Sequence, residues 1–508
     1  MAHAVISCLH ANLAAFEAVL DDIDQQGITT ITCLGDLVGY GPQPNEVVEL
    51  VQQRAIPTCQ GCWDEDIIDG LNACECSYPS QLAERRGHQA HHWTADRLTD
   101  NNKAFLATLP ITLRRDKLLF VHGSPNSQHE YLLPDMNAFA ALERVETAGA
   151  ETLFCGHTHQ PYVRELSGGS IRVSVQQRGN GPATEQEMTL PMRRIVNAGS
   201  VGEPRHGNTK ATYVVHDDNT GDVSIREVDY DVAKTCQGDC GGGIARRVCL
   251  ATEPWLRICR ARRRCQPRVR AMMERWALVS GLRGDLDLYE QIQADIKKQR
   301  GAAHLFVLGD MISPDRNCDA LLTRLRQPKR GDLQPNCIYG WWEEQLLVDY
   351  GYRGDQKAEV RSDPDGATTM QQLREAVSQE HINWLASLQF GFIELDCGLI
   401  HGSSADVGDP LKETTSPLIL LDRLTRLDVN RLFTARSGQQ FRLQLTGGQI
   451  QSKVKDPTGE QQREQAVPKR SVIGIGSGEN YTLYDPASDR VEFLSVALRS
   501  RLSNLGFG

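Results

Sequence analysis

No uninterrupted apolar run in the sequence approaches the ~18 residues that a bilayer span requires, so no membrane-spanning segment is expected. The N-terminus carries no basic stretch ahead of an apolar one and passes straight into a strand-like segment, which argues against a secretory leader. Excess positive charge is also missing: 55 Lys and Arg against 65 Asp and Glu give a formal net charge of -10. A polyanion binder needs a basic footprint, so nucleic acid is not an expected partner. The fifteen cysteines do not form a disulfide scaffold. Their number is odd and most are scattered through apolar, strand-like stretches such as Ile31-Thr32-Cys33-Leu34. Most are therefore expected to be small buried hydrophobes in a reducing, cytoplasmic setting. What remains is an ordinary globular composition, 40% hydrophobic and 24% charged over 508 residues, with room for two to four domains.

Self-similarity organises the chain. Val5-Ile6-Ser7-Cys8-Leu9-His10, a helical pattern and Leu34-Gly35-Asp36 are answered by Leu278-Val279-Ser280-Gly281-Leu282-Arg283, a second helical pattern and Leu308-Gly309-Asp310. In the same order, Gly61-Cys62-Trp63-Asp64 answers to Gly340-Trp341-Trp342-Glu343, and Val121-His122-Gly123-Ser124 to Ile400-His401-Gly402-Ser403. Cys155-Gly156-His157 answers to Thr434-Ala435-Arg436, and Gly199-Ser200 to Gly476-Ser477. Six landmarks in one order at nearly constant spacing predict a duplicated domain, with copies at 1–230 and 276–508. Within each copy, short apolar strands alternate with amphipathic helices, which predicts an α/β sheet with functional loops at the carboxyl ends of strands. The connector, 231–275, holds Cys236, Cys240, Cys249, Cys259 and Cys265 together with ten arginines. That cysteine spacing matches no paired zinc framework, and the segment is expected to be a helical linker or docking segment.

In the first copy, predicted strand ends deliver metal-type donors: Cys8, His10, Asp36, Cys62, His122, His157 and His159. Residues two apart on a strand share a face, so Cys8 with His10, and His157 with His159, can each point at one centre. Imidazole, thiolate and carboxylate together suit zinc, iron or manganese rather than magnesium or calcium.

The order of these motifs resembles the calcineurin-like metallophosphoesterase superfamily: Asp-x-His, Gly-Asp, Gly-Asn-His-Asp/Glu, His, Gly-His-x-His. Leu34-Gly35-Asp36-Leu37-Val38-Gly39-Tyr40-Gly41-Pro42 and Asn197-Ala198-Gly199-Ser200-Val201-Gly202 are similar to its small bacterial phosphodiesterase-like branch. The resemblance implies, for each copy, a β-sandwich flanked by helices with two metals at strand-end loops. One metal would take Cys8, His10, Asp36 and His159. The other would share Asp36 and take Cys62, His122 and His157.

Three positions depart from the pattern. The family's first Asp is Cys8, its Asn ligand is Cys62, and its catalytic His is Trp63, so no catalytic residue is assigned. An indole N–H donates a hydrogen bond but transfers no proton at neutral pH. Thiolates, on the other hand, are good zinc ligands. In the second copy Gly281 and Arg283 occupy the Asp-x-His position, Trp341 and Trp342 the Asn-His slots, and Arg436 and Gly438 the last two histidines. Only Asp310 and His401 remain as remnants, so no metal is expected there. Arg283 and Arg436 are expected to pair with Asp310, the alternative being guanidinium groups placed where cations would sit, fit for a phosphate or a partner carboxylate. The resulting expectation is a tandem pseudo-phosphoesterase, a binding or scaffold module with a residual Zn, Mn or Fe site in the first copy. It would serve a protein partner or a phosphate-containing ligand. The alternative is an active metal-dependent phosphoesterase with a thiolate-containing site.

Overall fold

The computed structural model describes residues 2–70, 81–177, 183–237, 274–298, 302–354, 358–362 and 364–496. The connector cysteines at 240, 249, 259 and 265 lie outside the described residues. Two compact units are present. Unit 1 comprises Met1–Gly169, Thr189–Arg260 and Gln449–Gln465; unit 2 comprises Ser170–Met188, Ala261–Gly448 and Ala466–Gly508.

Unit 1 begins with β1 (Ala2–Ile6) and β2 (Thr30–Cys33), joined by the helix Leu13–Gln25, a right-sized crossover for parallel pairing. Asn12 caps that helix by accepting the Ala15 N–H, and its buried side, with Ala15, Phe16, Val19 and Ile23, faces the sheet. The strands β3 (Thr112–Arg115), β4 (Leu118–Val121), β5 (Thr152–Cys155), β6 (Tyr162–Gln177), β7 (Thr184–Leu190), β8 (Arg193–Asn197), β9 (Ala211–Asp217) and β10 (Val223–Val228) follow. They assemble as a sheet of order β10-β9-β1-β2 and a second run of order β6-β8-β5-β4-β3. Alternation along β1 sorts the core into two layers. Ala4 and Ile6 pack with the helices, whereas Val5 joins Phe120, Phe154, Val196 and Val214 between the sheets. The unit is thus a β-sandwich with helices on an outer face.

Unit 2 has the same kind of layering. The strands of the second half of the chain are β11 (Arg275–Val279), β12 (Ala302–Leu308), β13 (Pro335–Ile338), β14 (Gly391–Glu394), β15 (Cys397–Ile400), β16 (Arg431–Thr434), β17 (Gln440–Asp456), β18 (Gly459–Ala466), β19 (Arg470–Ile475), β20 (Asn480–Asp485) and β21 (Arg490–Ser495), of which β18 up to Gln465 and β17 from Gln449 belong to unit 1, as most of β7 belongs to unit 2. One sheet runs β13-β12-β11-β20-β21, and β14-β15-β16-β19-β17 forms the other run. Ala277 and Val279 of β11 face the helices, while Trp276 and Leu278 lie in the inter-sheet layer with Phe433, Ile473 and Tyr484.

The units do not follow chain order alone. Residues 170–188 belong to unit 2 and residues 449–465 to unit 1. In unit 1, Arg164 Nε donates to Ser452 Oγ at 2.9 Å and the Ala138 N–H to Gln465 Oε1 at 2.8 Å. Glycines stand where the long strands cross from one unit to the other, because a Cβ on Gly169 would lie 1.9 Å from the Gln449 carbonyl oxygen.

Candidate metal centre

All seven residues singled out in the first copy are buried in unit 1; six lie just beyond strand ends, and Cys62 opens the helix Cys62–Ile68. They form two groups that share Asp36: Cys8, His10, Asp36 and His159, and Asp36, Cys62, His122 and His157. Five of them, Cys8, His10, Asp36, His157 and His159, adopt left-handed backbone with φ between 45° and 62°. Non-glycine residues rarely accept that conformation, and here it turns each donor inward from the end of its strand.

Donor spacing matches a shared cation. Four ligands at ~2.0–2.3 Å around a tetrahedral ion stand about 3.3–3.8 Å apart. In the second group, Cys62 Sγ is 3.6 Å from His122 Nε2, 3.5 Å from His157 Nδ1 and 3.7 Å from Asp36 Oδ2. Asp36 Oδ2 is 3.2 Å from His122 Nε2 and 3.5 Å from His10 Nε2.

Hydrogen bonds behind the rings determine which nitrogen carries the proton. His10 Nδ1 donates to the Val38 carbonyl at 3.0 Å, His122 Nδ1 to the Leu34 carbonyl at 2.9 Å, and His159 Nδ1 to the Glu203 carbonyl at 2.6 Å. The neutral rings of His10 and His159 therefore present bare Nε2 lone pairs that face each other at 3.1 Å, whereas Asp36, against the opposing effect of burial, holds His122 above the ordinary imidazole range. Two lone pairs at that distance repel, and a cation between them converts the repulsion into two bonds. Burial favours the neutral imidazole, pushing His10 down to about 4 and holding His157 well below the ordinary range. Burial, followed by the charge of Asp36, pushes the Cys8 and Cys62 thiols well up, so only a bound cation would make them thiolates. Burial alone would raise Asp36, but His122, His10 and His157 hold its carboxyl well below the usual range.

Further residues, absent from the sequence expectation, complete the surroundings. Asp64 is fully buried and accepts the N–H groups of Asp36 at 2.9 Å, Leu37 at 3.0 Å, Val38 at 3.4 Å and Gly61 at 3.0 Å. The signal for it was the fourth position of Gly61-Cys62-Trp63-Asp64. Gly61 has no substitute, since a Cβ there would lie 2.1 Å from the Asp36 nitrogen. Glu203 Oε2 takes both His159 Nδ1 at 3.2 Å and Arg205 Nη2 at 2.7 Å. Tyr131 lies over His157 with ring centroids 4.0 Å apart. No sequence pattern marked Tyr131. Trp63, 2% exposed, packs on Tyr40 at 4.5 Å and on His91 at 5.7 Å between centroids. A third group, Glu65, Asp66 and His129, is held by a 3.5 Å His129–Glu65 contact.

In unit 2, Asp310 Oδ1 stands 3.4 Å from His401 Nε2 and accepts the Trp342 N–H at 3.1 Å. The expected pairing of Arg283 and Arg436 with Asp310 is not formed: neither arginine has an ion-pair partner among the described residues. Arg436 instead lies over the Trp341 ring at 4.5 Å, and Arg283 is exposed. No metal-type group of three donors occurs in unit 2 among the described residues.

The calcineurin-like phosphoesterase superfamily domain model matches residues 1–221. The uncharacterized protein MJ0912 of Methanocaldococcus jannaschii is 34% identical over 239 residues, 46% of this chain and 88% of that protein. A solved metallophosphoesterase from Sphaerobacter thermophilus is 29% identical, with 49% of this chain and 98% of that chain covered and a TM-score of 0.36. The hypothetical protein PH1004 from Pyrococcus horikoshii is 21% identical, with 49% and 97% covered and a TM-score of 0.36. No helix among the described residues is long and apolar enough to cross a membrane. With that relative matched over most of its length, the chain belongs to the calcineurin-like phosphoesterase superfamily.

Proposed function

We propose that unit 1 is a working phosphoesterase centre that holds two cations, zinc foremost, and hydrolyses phosphate esters whose leaving groups need no proton. The observation that carries this reading is the pair of buried donor groups with ring tautomers already directed inward. A decayed pocket has no reason to keep two bare imidazole nitrogens 3.1 Å apart. Cys8, His10, Asp36 and His159 would hold one ion, and Asp36, Cys62, His122 and His157 the other. When bound, such ions supply Lewis acidity and neutralise the phosphoryl oxygens. Two thiolates and one carboxylate against two divalent cations leave a net charge of +1, suited to an anionic phosphoryl group. Arg205, anchored by Glu203, and Tyr131 stand beside the histidines to orient that group.

Trp63 limits the chemistry. Its indole occupies the position from which the family's histidine assists the leaving group, and the loss of such an acid costs ~10²–10⁴-fold. The same residue favours a second reading, a phosphate-binding module without turnover. The tandem duplication is part of the proposal, and parallel backbone details support it. Gly281, Arg283 and Asp310 have φ of 66°, 47° and 52°, against 53°, 45° and 55° for Cys8, His10 and Asp36. Glu343 accepts the Asp310, Met311, Ile312 and Gly340 N–H groups as Asp64 does in unit 1.

The test is a leaving-group series on metal-assayed protein. Aryl phosphates should turn over and alkyl phosphates should not, and Trp63→His should raise alkyl phosphate turnover by at least ~10²-fold. Absence of aryl phosphate hydrolysis in metal-loaded protein establishes the binding module instead.

A further inference from the structure

Unit 2 keeps its arginines near Asp310 out of ion pairs, in a chain with net charge -10 where acidic partners are plentiful. Other arginines of this unit are paired: Arg316 with Asp285, Arg353 with Glu344, Arg374 with Asp349 and Arg431 with Asp489. Arg436 is held by a carbon face instead. Its guanidinium sits 4.5 Å above Trp341, its backbone N–H donates to the His401 carbonyl at 2.8 Å, and its buried Nε has no hydrogen-bond partner among the described residues. A stacked guanidinium keeps its charge and its in-plane donors available, which is how arginine is presented to oxyanions.

His401 supplies an independent observation. It is 2% exposed, its Nδ1 donates to the Leu308 carbonyl at 2.7 Å, and its buried Nε2 has no hydrogen-bond partner among the described residues. The nearest charge to that nitrogen is Asp310 Oδ1, at 3.4 Å. Arg283 stands on the neighbouring loop, its N–H bonded to the Asp310 carbonyl at 3.0 Å, with its side chain exposed. Two guanidinium groups and one bare imidazole nitrogen are therefore carried by the loops after β11, β16 and β15. Guanidinium groups on separate loops suit an anion with oxygens on several sides better than a flat carboxylate. The two arginines outweigh the one charge of Asp310, so a ligand bringing negative charge completes the cluster.

We propose that Arg436, Arg283 and His401 form a metal-independent binding site for a phosphoryl oxyanion in unit 2, separate from the metal centre of unit 1. Arg436 would grip two phosphoryl oxygens from its Trp341 platform, and the His401 Nε2 lone pair would accept from the hydroxyl of a monoprotonated phosphate. Arg283 at the rim would close the site electrostatically. The assignment uses only the contacts within unit 2 and stands whether or not unit 1 is an active enzyme.

Equilibrium dialysis of the full chain with radiolabelled inorganic phosphate tests it, on protein as purified and after chelation. A saturable phosphate site that survives chelation is expected. Asp36→Asn, in unit 1, should leave it in place. Arg436→Gln should weaken it by at least about tenfold, the scale of one lost charge-assisted contact. Arg283→Gln, an exposed position that puts no fold at risk, should weaken it severalfold and so decides the matter should Arg436→Gln fail to fold. Sulfate should compete and acetate should not. The proposal is overturned by phosphate binding that disappears on chelation or with Asp36→Asn, or that is unchanged in Arg283→Gln and a folded Arg436→Gln. Equal competition by acetate overturns the phosphoryl assignment in favour of a carboxylate site.

Discussion

The Asp64 carboxylate takes the backbone N–H of Asp36 at 2.9 Å, so one buried acid holds the loop on which another acid is aimed at the donor groups. Asp36 in turn accepts the Trp63 N–H at 2.9 Å, and the two loops lock reciprocally. Asp64→Ala would leave four buried N–H groups without their acceptor. We expect a loss of about 3 kcal/mol or more, since each orphaned group costs ~1–3 kcal/mol. Urea denaturation checks this, and a loss below 1 kcal/mol would show that the loop is held by other means.

Metal should be a structural component of unit 1. Cobalt loaded into the chain should show sulfur-to-metal charge-transfer absorption, reduced by Cys8→Ser or Cys62→Ser and absent in the double variant. Metal at a hundred times its Kd should raise stability by about 2.7 kcal/mol, reversed by chelation. A cobalt spectrum without thiolate character would remove both cysteines from the donor set.

Acid should destabilise the protein through buried histidines outside the metal centre. Burial pushes both His3 and His91 down to about 4, with Arg115 adding to the effect at His3 and His92 at His91. Unfolded histidine binds a proton near 6.5, so between that pH and 4 the unfolded chain takes up protons that the folded chain refuses. Stability is therefore full above about 6.5 and falls as pH drops, by about 2 kcal/mol per group at pH 5. His91, with neither ring nitrogen hydrogen-bonded among the described residues, is the cleaner test. His91→Leu should lose that share of the pH 7 to pH 5 decline in denaturation midpoint, and an identical decline in the variant would refute the assignment.

A fragment ending at residue 230 lacks the segment 449–465 that completes unit 1. Its β6 would carry an unpaired edge, with Arg164 deprived of Ser452. Unpaired edges seek another strand, so we expect such a fragment to self-associate at micromolar concentration, whereas the full chain needs no such partner. A monodisperse monomeric fragment in light scattering would contradict this.

Much of unit 1 was legible along the chain because its signals are local. A strand that ends in Gly35-Asp36 or Gly156-His157 announces both the end of pairing and the donor delivered there. Six of the seven candidate donors stand at strand ends, and the order of all seven carried the family resemblance. What the chain order did not reveal depends on which segments meet. Asp64 was visible as one member of a motif, but its four N–H partners come from the loops at 36–38 and 61, so its role appears only when those loops converge. Tyr131 acquires a place only through the ring of His157. Pairing of Arg436 with Asp310 was the simplest expectation from charge alone; stacking on Trp341 replaced it, because an aromatic face and a backbone anchor positioned the guanidinium elsewhere. The exchange of 170–188 and 449–465 was the least legible of all. Each segment keeps the same strand-like pattern in either unit, so the sequence alone could determine that these residues pair, and only the tertiary structure decided with what.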